Sequence, residues 1–318
     1  MTTIIKKEDI VKIIGKVDVI SAMEKGFIAY SNGKSVVPPV AELLFDKPKG
    51  ETHIKYGYIK EDKYFVVKIA SGFYENTKLG ISSSQGLMLL FNQKTGQVQS
   101  VLLDEGYLTD IRTAAAGALV AKYFAPKQIK AVGMIGTGIQ SRLQLQFLQQ
   151  NNPCKEVWIW NRNLENSEKY KRELGDNFNI CIASNPSELA QHCNLIYTTT
   201  PSTVPLLKQA DIMPGTHITA VGSDTPEKQE LESTILSRAD IVMSDSISQS
   251  KSRGEIFKAV TNGGFSHDRV IELGTAIQKK ELQRQNDQQI SVADLTGVAV
   301  QDIMIAEAIY THYKNNND

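Results

Sequence analysis

Val132-Gly133-Met134-Ile135-Gly136-Thr137-Gly138-Ile139-Gln140-Ser141 is the stretch whose reading decides the fold. A buried-strand pattern runs into two glycines, and a helix patterned by Ile139, Leu143 and Phe147 follows. Glycines at such a turn let backbone N–H groups approach a pyrophosphate at the helix N-terminus, where the helix dipole favours an anion. Gly136, Gly138 and Ile139 are therefore candidate dinucleotide contacts. Ser141 stands at the third small position in place of Gly or Ala. The alternative is a plain strand-to-helix turn that binds nothing.

Working outward, β-rich runs at Ile129 to Ile135, Val157 to Trp160, Ile180 to Ala183, Leu195 to Thr199, Ile218 to Val221 and Ile241 to Ser244 alternate with helix-length intervals. Parallel neighbours need crossover connections, so this alternation predicts an α/β fold with a Rossmann-type doubly wound parallel sheet over 125–290. Before it, Thr52 to Ile59, Tyr64 to Ile69, Leu87 to Asn92 and Val98 to Leu103 are joined by short turn signals. Short connections favour antiparallel pairing and predict a separate α+β unit. Thr109 to Phe124 reads as an Ala-rich helix linking the units, and Val298 to Tyr313 as a helix that returns to the first, giving a domain of 1–124 with 291–318. The polar tail from Lys314 onward is expected to be disordered.

Composition narrows the classes. The 318 residues carry 35 Lys+Arg against 35 Asp+Glu, with no basic block. Nucleic-acid affinity is dominated by phosphate neutralisation, so no nucleic-acid partner is expected. No run of 18 apolar residues suggests a membrane span, and three cysteines without CxxC spacing suggest neither a disulfide framework nor a metal site. A cytoplasmic protein is expected.

Individual residues raise chemical alternatives. Asn161-Arg162 follows the second strand of the series, where an Asp or Glu selects NAD and an Arg can pair with a 2′-phosphate, so NADPH is expected over NADH. The alternative is a solvated loop Arg. Lys68 interrupts an apolar strand and either reaches water or meets an anion in a cleft; Lys55 offers the same choice and leans toward solvent. Arg112, placed in the first turn of the Ala-rich helix, opposes the dipole unless an anion is near, the alternative being plain exposure. Asp224 follows the fifth strand and suits acid/base work at the carboxyl edge of a sheet, the alternative being a helix cap or a turn residue. Of the five histidines only His53 lies near a candidate site.

Lys68 in its strand, Thr109-Asp110-Ile111-Arg112-Thr113, Gly136-Thr137-Gly138-Ile139-Gln140, Gly222-Ser223-Asp224-Thr225-Pro226 and Asp294-Leu295-Thr296-Gly297 together resemble the ornithine cyclodeaminase/μ-crystallin family. The resemblance implies a nucleotide domain inserted into a substrate-binding and dimerisation domain, a homodimer, and a small-molecule imine or amino-acid substrate in a cleft. It implies catalysis by Asp224 and Lys68, with Lys68 and Arg112 on the substrate carboxylate and Lys55 and His53 beside it. Ser84, Arg112, Gly136, Gly138, Ile139, Gln140, Asn161, Arg162, Thr200, Val221, Gly222, Ser223, Lys228 and Thr296 would lie along the cofactor.

Three departures from the cyclodeaminases steer the expected activity. Val36-Val37-Pro38-Pro39-Val40-Ala41-Glu42 lacks their carboxylate-binding Arg, His53-Ile54-Lys55-Tyr56 stands where they place a Glu before Met-Pro, and Asn161 replaces their NAD-selecting Asp. The chain is more similar to the branch that reduces Δ1-pyrroline-2-carboxylate to L-proline. Ornithine cyclodeamination and non-catalytic NADP(H) and ligand binding are the alternatives.

Overall fold

The computed structural model describes residues 2–317. They divide into two compact units, Met1–Arg112 with Val298–Asp318, and Thr113–Gly297.

The first unit contains β1 (Thr3–Lys6), α1 (Lys7–Ile14), α2 (Val19–Ser31), β2 (Ser35–Val36), β3 (Ala41–Phe45), β4 (Gly50–Ile59), β5 (Tyr64–Gly72), β6 (Ser84–Asn92) and β7 (Val98–Leu103). The sheet order is β1-β7-β6-β5-β4-β2, with β3 also on β4, and every pair is antiparallel except β1 with β7. Short turns join β4 to β5 and β6 to β7, and a longer segment, residues 73–83 with a 3-10 turn at Tyr74–Leu79, joins β5 to β6. The sequence pattern finds these four strands but not β1, β2 or β3, which are short or lie at edges.

Helix α3 (Tyr107–Phe124) leads from this unit into the second. The chain returns through α10 (Ala299–Asn317), which packs on α2, β4 and β5. Residues 314–317, expected to be disordered, continue this helix; Asp318 lies outside the described residues. Residues alternate along β5 and β6: Val66, Lys68, Met88 and Leu90 are buried, whereas Phe65, Val67, Ile69, Leu87, Leu89 and Phe91 are half-buried on the opposite face.

The second unit contains β8 (Val132–Ile135), α4 (Ile139–Gln149), β9 (Glu156–Trp160), α5 (Leu164–Leu174), β10 (Asn179–Ile182), α6 (Pro186–His192), β11 (Leu195–Thr198), β12 (His217–Ala220), α7 (Ser233–Arg238), β13 (Ile241–Ser244), α8 (Gly254–Thr261), β14 (Val270–Glu272), α9 (Leu273–Gln278) and β15 (Ser291–Asp294). All pairs are parallel in the order β10-β9-β8-β11-β12-β15-β13-β14. The doubly wound sheet is as expected, but it has eight strands, not six. The last strand, β15, enters between β12 and β13, which the local pattern does not reveal. The buried stripe of α4 is Ser141, Gln144, Leu145 and Leu148, so the expected Ile139, Leu143, Phe147 stripe is rotated off the core. Ile139 is instead 54% exposed. Among the described residues no helix is long and apolar enough to cross a membrane.

Candidate nucleotide and anion sites

At the carboxyl end of β8 the chain turns through Gly136 at φ +104°, a left-handed geometry suited to glycine. A Cβ there would lie 2.7 Å from Thr199 Oγ1. Gly138 is the N-cap of α4, makes no side-chain cap, and a Cβ built on it would meet nothing within 4 Å. Open space thus stands before an uncapped helix N-terminus, a cradle that fits a pyrophosphate. A cavity of about 790 Å³ opens there, lined by Gly136 to Ile139, Arg142, Trp160 to Asn163, Asn166, Lys169, Glu173, Thr199 to Ser202 and Leu206. Its position beyond the carboxyl ends of β8, β9 and β11 is the usual ligand crevice of an open parallel sheet. The residues present therefore fit a dinucleotide.

Ser141, the departure from Gly or Ala, is fully buried and its hydroxyl donates to Tyr170 Oη at 3.0 Å. The Tyr170 hydroxyl donates back to the Ser141 carbonyl at 3.2 Å. Arg142 stacks 4.7 Å over the Tyr170 ring, pairs with Glu173 at 2.6 Å, and donates to the Thr137 carbonyl. This brace holds the glycine turn against α5. Asn161 has a shaping role as well: its Nδ2 donates to Thr137 Oγ1 at 2.9 Å and its Oδ1 accepts from Asn163 N at 2.8 Å. Arg162 is exposed and lines the same cavity, beside Lys169.

Of the residues expected along a cofactor, Gly136, Gly138, Ile139, Asn161, Arg162 and Thr200 meet in this cavity. Gln140, Val221, Gly222, Ser223, Lys228 and Thr296 belong to the same unit but do not line it, and Ser84 and Arg112 belong to the first unit. Thr296 is 2% exposed, its hydroxyl donating to Asp245 Oδ1 at 3.1 Å and accepting from Gln249 Nε2 at 2.9 Å. Asp224 lies in the segment after β12 and pairs with Lys228 Nζ at 2.7 Å. No helix begins directly after it, since α7 starts at Ser233 with Glu232 as N-cap, so the helix-cap alternative does not hold. The Ser223 hydroxyl donates to the Lys228 carbonyl at 2.8 Å and closes this segment on itself.

In the first unit, Lys68 and Arg112 are both buried and share one carboxylate. Lys68 Nζ lies 3.1 Å from Asp302 Oδ2, and Arg112 Nε lies 3.3 Å from Asp302 Oδ1. Arg112 Nη1 also donates to Gln301 Oε1 at 3.1 Å, while Gln301 Nε2 donates back to the Arg112 carbonyl at 3.3 Å. Arg112 falls in the second turn of α3, not the first, and is 5% exposed, so the exposed alternative is overturned. Lys55 is the cross-strand partner of Lys68 and is also buried, contrary to its expected lean toward solvent. Registry explains this: alternate residues of β4 and β5 share a face, and that face is the one covered by α10. His53 is buried, its Nε2 3.6 Å from Glu42 Oε1.

Burial lowers the Lys68 pKa to about 8, with the positive charge of Arg112 acting in the same direction and the Asp302 carboxylate opposing. Both cations share the Asp302 carboxylate, and the buried Asp104 carboxylate also acts on Lys68. Such a cluster attracts a small carboxylate, which Arg can hold bidentately.

Sequence reasoning missed Asp302 and Gln301. A signal for Asp302 existed: it falls at the helical spacing of Val298, Ile305 and Ile309, and a carboxylate on an apolar stripe must find a cation. Also missed was Glu230, fully buried and accepting hydrogen bonds from Thr200 and Gly222. It sits in a polar loop sequence with no periodicity to mark it.

The model of the ornithine cyclodeaminase/mu-crystallin family matches residues 1–317. An archaeal alanine dehydrogenase dimer solved with bound NAD is similar at a TM-score of 0.91 and 31% identity, covering 100% of this chain and 97% of that one. Thermococcus litoralis Δ1-pyrroline-2-carboxylate reductase, solved in complex with NADH and L-proline, gives a TM-score of 0.91 at 26% identity, covering 99% and 98%. The iminosuccinate reductase of Paracoccus denitrificans is 32% identical over 291 residues, 91% of this chain and 89% of that protein.

Proposed function

The chain belongs to the ornithine cyclodeaminase/mu-crystallin family, and on that premise we propose that it is a nicotinamide-dependent oxidoreductase acting on the C=N bond of an imine that carries a carboxylate. The substrate we infer is Δ1-pyrroline-2-carboxylate, reduced to L-proline, with NADPH preferred. The observation that carries this reading is the buried pair Lys68 and Arg112 around the carboxylate of Asp302. It is supported by the glycine cradle before α4 and by relatives solved with NAD or NADH.

In this reading Arg112 and Lys68 hold the substrate carboxylate and so fix which face of the imine is presented, converting a random encounter into an oriented one. Asp224, steadied by Lys228, holds a proton at the imine nitrogen, which makes the adjacent carbon more electrophilic. Bound at the α4 cradle, the nicotinamide cofactor supplies the hydride. Arg162 offers a cation to a 2′-phosphate, and no acidic side chain occupies position 161 to repel it.

A homodimer is part of the proposal. The half-buried row Phe65, Val67, Ile69, Leu87, Leu89 and Phe91, together with the exposed Leu43, Leu44 and Phe45 of edge strand β3, leaves apolar surface for a second copy to cover. Light scattering at micromolar concentration reads this directly, and a monomer contradicts it.

The reaction is tested by supplying purified protein with NADPH or NADH and Δ1-pyrroline-2-carboxylate, its six-membered homologue or iminosuccinate, and separately with ornithine and NAD+. Cofactor absorbance and the amino acid formed are followed. Oxidation of NADPH with proline formation is expected. Ornithine conversion without imine reduction overturns the proposal in favour of cyclodeamination, and dinucleotide binding without turnover in favour of a binding protein.

A further inference from the structure

Two loops leave the carboxyl edge of the second unit's sheet side by side. One, after β11, contributes Thr199 to Ser202 to the wall of the 790 Å³ cavity. The other, after β12, runs through Gly222 and Ser223 to Asp224. Glu230 lies under both. Its Oε1 accepts from Thr200 N at 2.6 Å and from Thr200 Oγ1 at 2.7 Å, and its Oε2 accepts from Gly222 N at 2.9 Å. The loops are in close contact here: a Cβ on Gly222 would collide with the Thr200 backbone and lie 2.6 Å from Glu230 Oε2.

Glu230 is itself held from behind. Its backbone N–H donates to Glu255 Oε1 at 2.6 Å, and its carbonyl accepts from Leu206 N at 2.7 Å and Leu207 N at 3.2 Å. The side chain is fully buried. Burial pushes the Glu230 carboxyl up to about 7, and the hydrogen bonds it accepts from the two loops oppose that rise and favour the carboxylate.

We propose that Glu230 is a positioning residue for the dinucleotide cavity, its carboxylate fastening the loop that walls the cavity to the loop that carries Asp224. This rests on the reading of the cavity as the cofactor site. Glu230 is not among the residues lining the cavity; it acts through Thr200 and Gly222. An acceptor on each oxygen is the essential property, because both loops present donors. Glu230→Gln keeps the shape but turns an NH2 toward one loop, so one of the two N–H groups loses its acceptor.

The test compares the parent with Glu230→Gln in two ways. Dinucleotide binding is read without turnover from the fluorescence of Trp160, which lines the cavity, by titration with NADPH and with NADH. Amide hydrogen exchange is read without cofactor at Thr200 and Gly222, with Met134 and Ile159 of the central strands as internal references. Expected are a rise in the dinucleotide Kd of about tenfold or more, the scale of losing a charge-assisted hydrogen bond, and faster exchange at Gly222 or Thr200 with unchanged protection at the references. A merely structural role would instead lower protection throughout and leave Kd unaltered in the folded fraction. Unchanged Kd and unchanged loop exchange overturn the proposal. Should Glu230→Gln fail to fold, Glu230→Asp, which keeps the charge but is too short to span both loops, is expected to show the same local pattern. If the parent binds neither dinucleotide, the reading of the cavity fails, and the exchange comparison still decides whether Glu230 ties the loops.

Discussion

Replacing Asp302 by Asn is the perturbation whose consequence follows most directly from the geometry. The carboxylate lies 3.1 Å from Lys68 Nζ and 3.3 Å from Arg112 Nε, and the three side chains are 1%, 2% and 7% exposed in the order Asp302, Lys68, Arg112. Asn keeps the volume and removes the charge, leaving two buried cations facing a neutral amide. Breaking a buried pair from one side costs about 3–5 kcal/mol, far above the ~0–1 kcal/mol of an exposed pair. Lys68 has an escape, because its pKa is already lowered to about 8 and losing Asp302 removes the larger of the two carboxylate influences that raise it, leaving that of Asp104. Once neutral, Lys68 no longer opposes Arg112. The loss should therefore be greatest near pH 7 and smaller at pH 9, where parental Lys68 is already largely deprotonated. Gln301 still holds Arg112 through its two-way hydrogen bonds, so the fold survives. The assay is urea unfolding of parent and Asp302→Asn at pH 7 and pH 9, fitted with a common slope. An added carboxylate ligand such as L-proline should restore more stability to the variant than to the parent. A loss below about 1 kcal/mol at pH 7, with no dependence on pH, would mean that the cluster is screened like a surface pair, and the reasoning from burial would be refuted.

Three further outcomes follow from the same sites. Asp224→Asn should leave dinucleotide binding intact while lowering kcat by roughly 10²- to 10⁴-fold, the range for loss of an acid/base group; near-parental turnover after circular dichroism confirms the fold removes Asp224 from the chemistry. Arg162→Ala should narrow the preference for NADPH over NADH by about 1–2 kcal/mol in kcat/KM, and equal use of the two cofactors by the parent would contradict the assignment. Because the cationic form of Lys68 is the one that binds a carboxylate, kcat/KM should fall as pH rises through about 8, and Lys68→Met should show a raised KM without that limb. The stability sign is opposite: between about pH 8 and the ordinary lysine pKa of 10.5 the unfolded chain retains a proton that folded Lys68 has released, so this group's contribution to stability rises with pH there. A profile of kcat/KM that stays flat from pH 7 to 9.5 would exclude Lys68 from anion binding.

Local order along the chain was enough to determine the parallel α/β unit, the Gly136-Thr137-Gly138 turn before α4, the antiparallel strands β4 to β7 and the two long helices α3 and α10. Each is encoded within a few residues, by a hydrophobic period, a short turn or a glycine requirement, so neighbours in sequence suffice to show it. Edge strands β1 to β3 and β14 and the internal strand β15 were not legible, because pairing partners distant in sequence make them strands. The same division runs through the sites. Residue type marked Lys68, Arg112 and Asp224 as chemically unusual, yet left open whether Lys68 and Arg112 met water or an anion. Tertiary structure decided that by bringing Asp302, which is distant along the chain from either, onto both cations, and by registering Lys55 opposite Lys68 on the face covered by α10. It likewise placed Glu230 beneath Thr200 and Gly222. A charge inside a protein is tolerable only with its partners, and the identity of those partners is a property of packing that no local stretch of sequence contains.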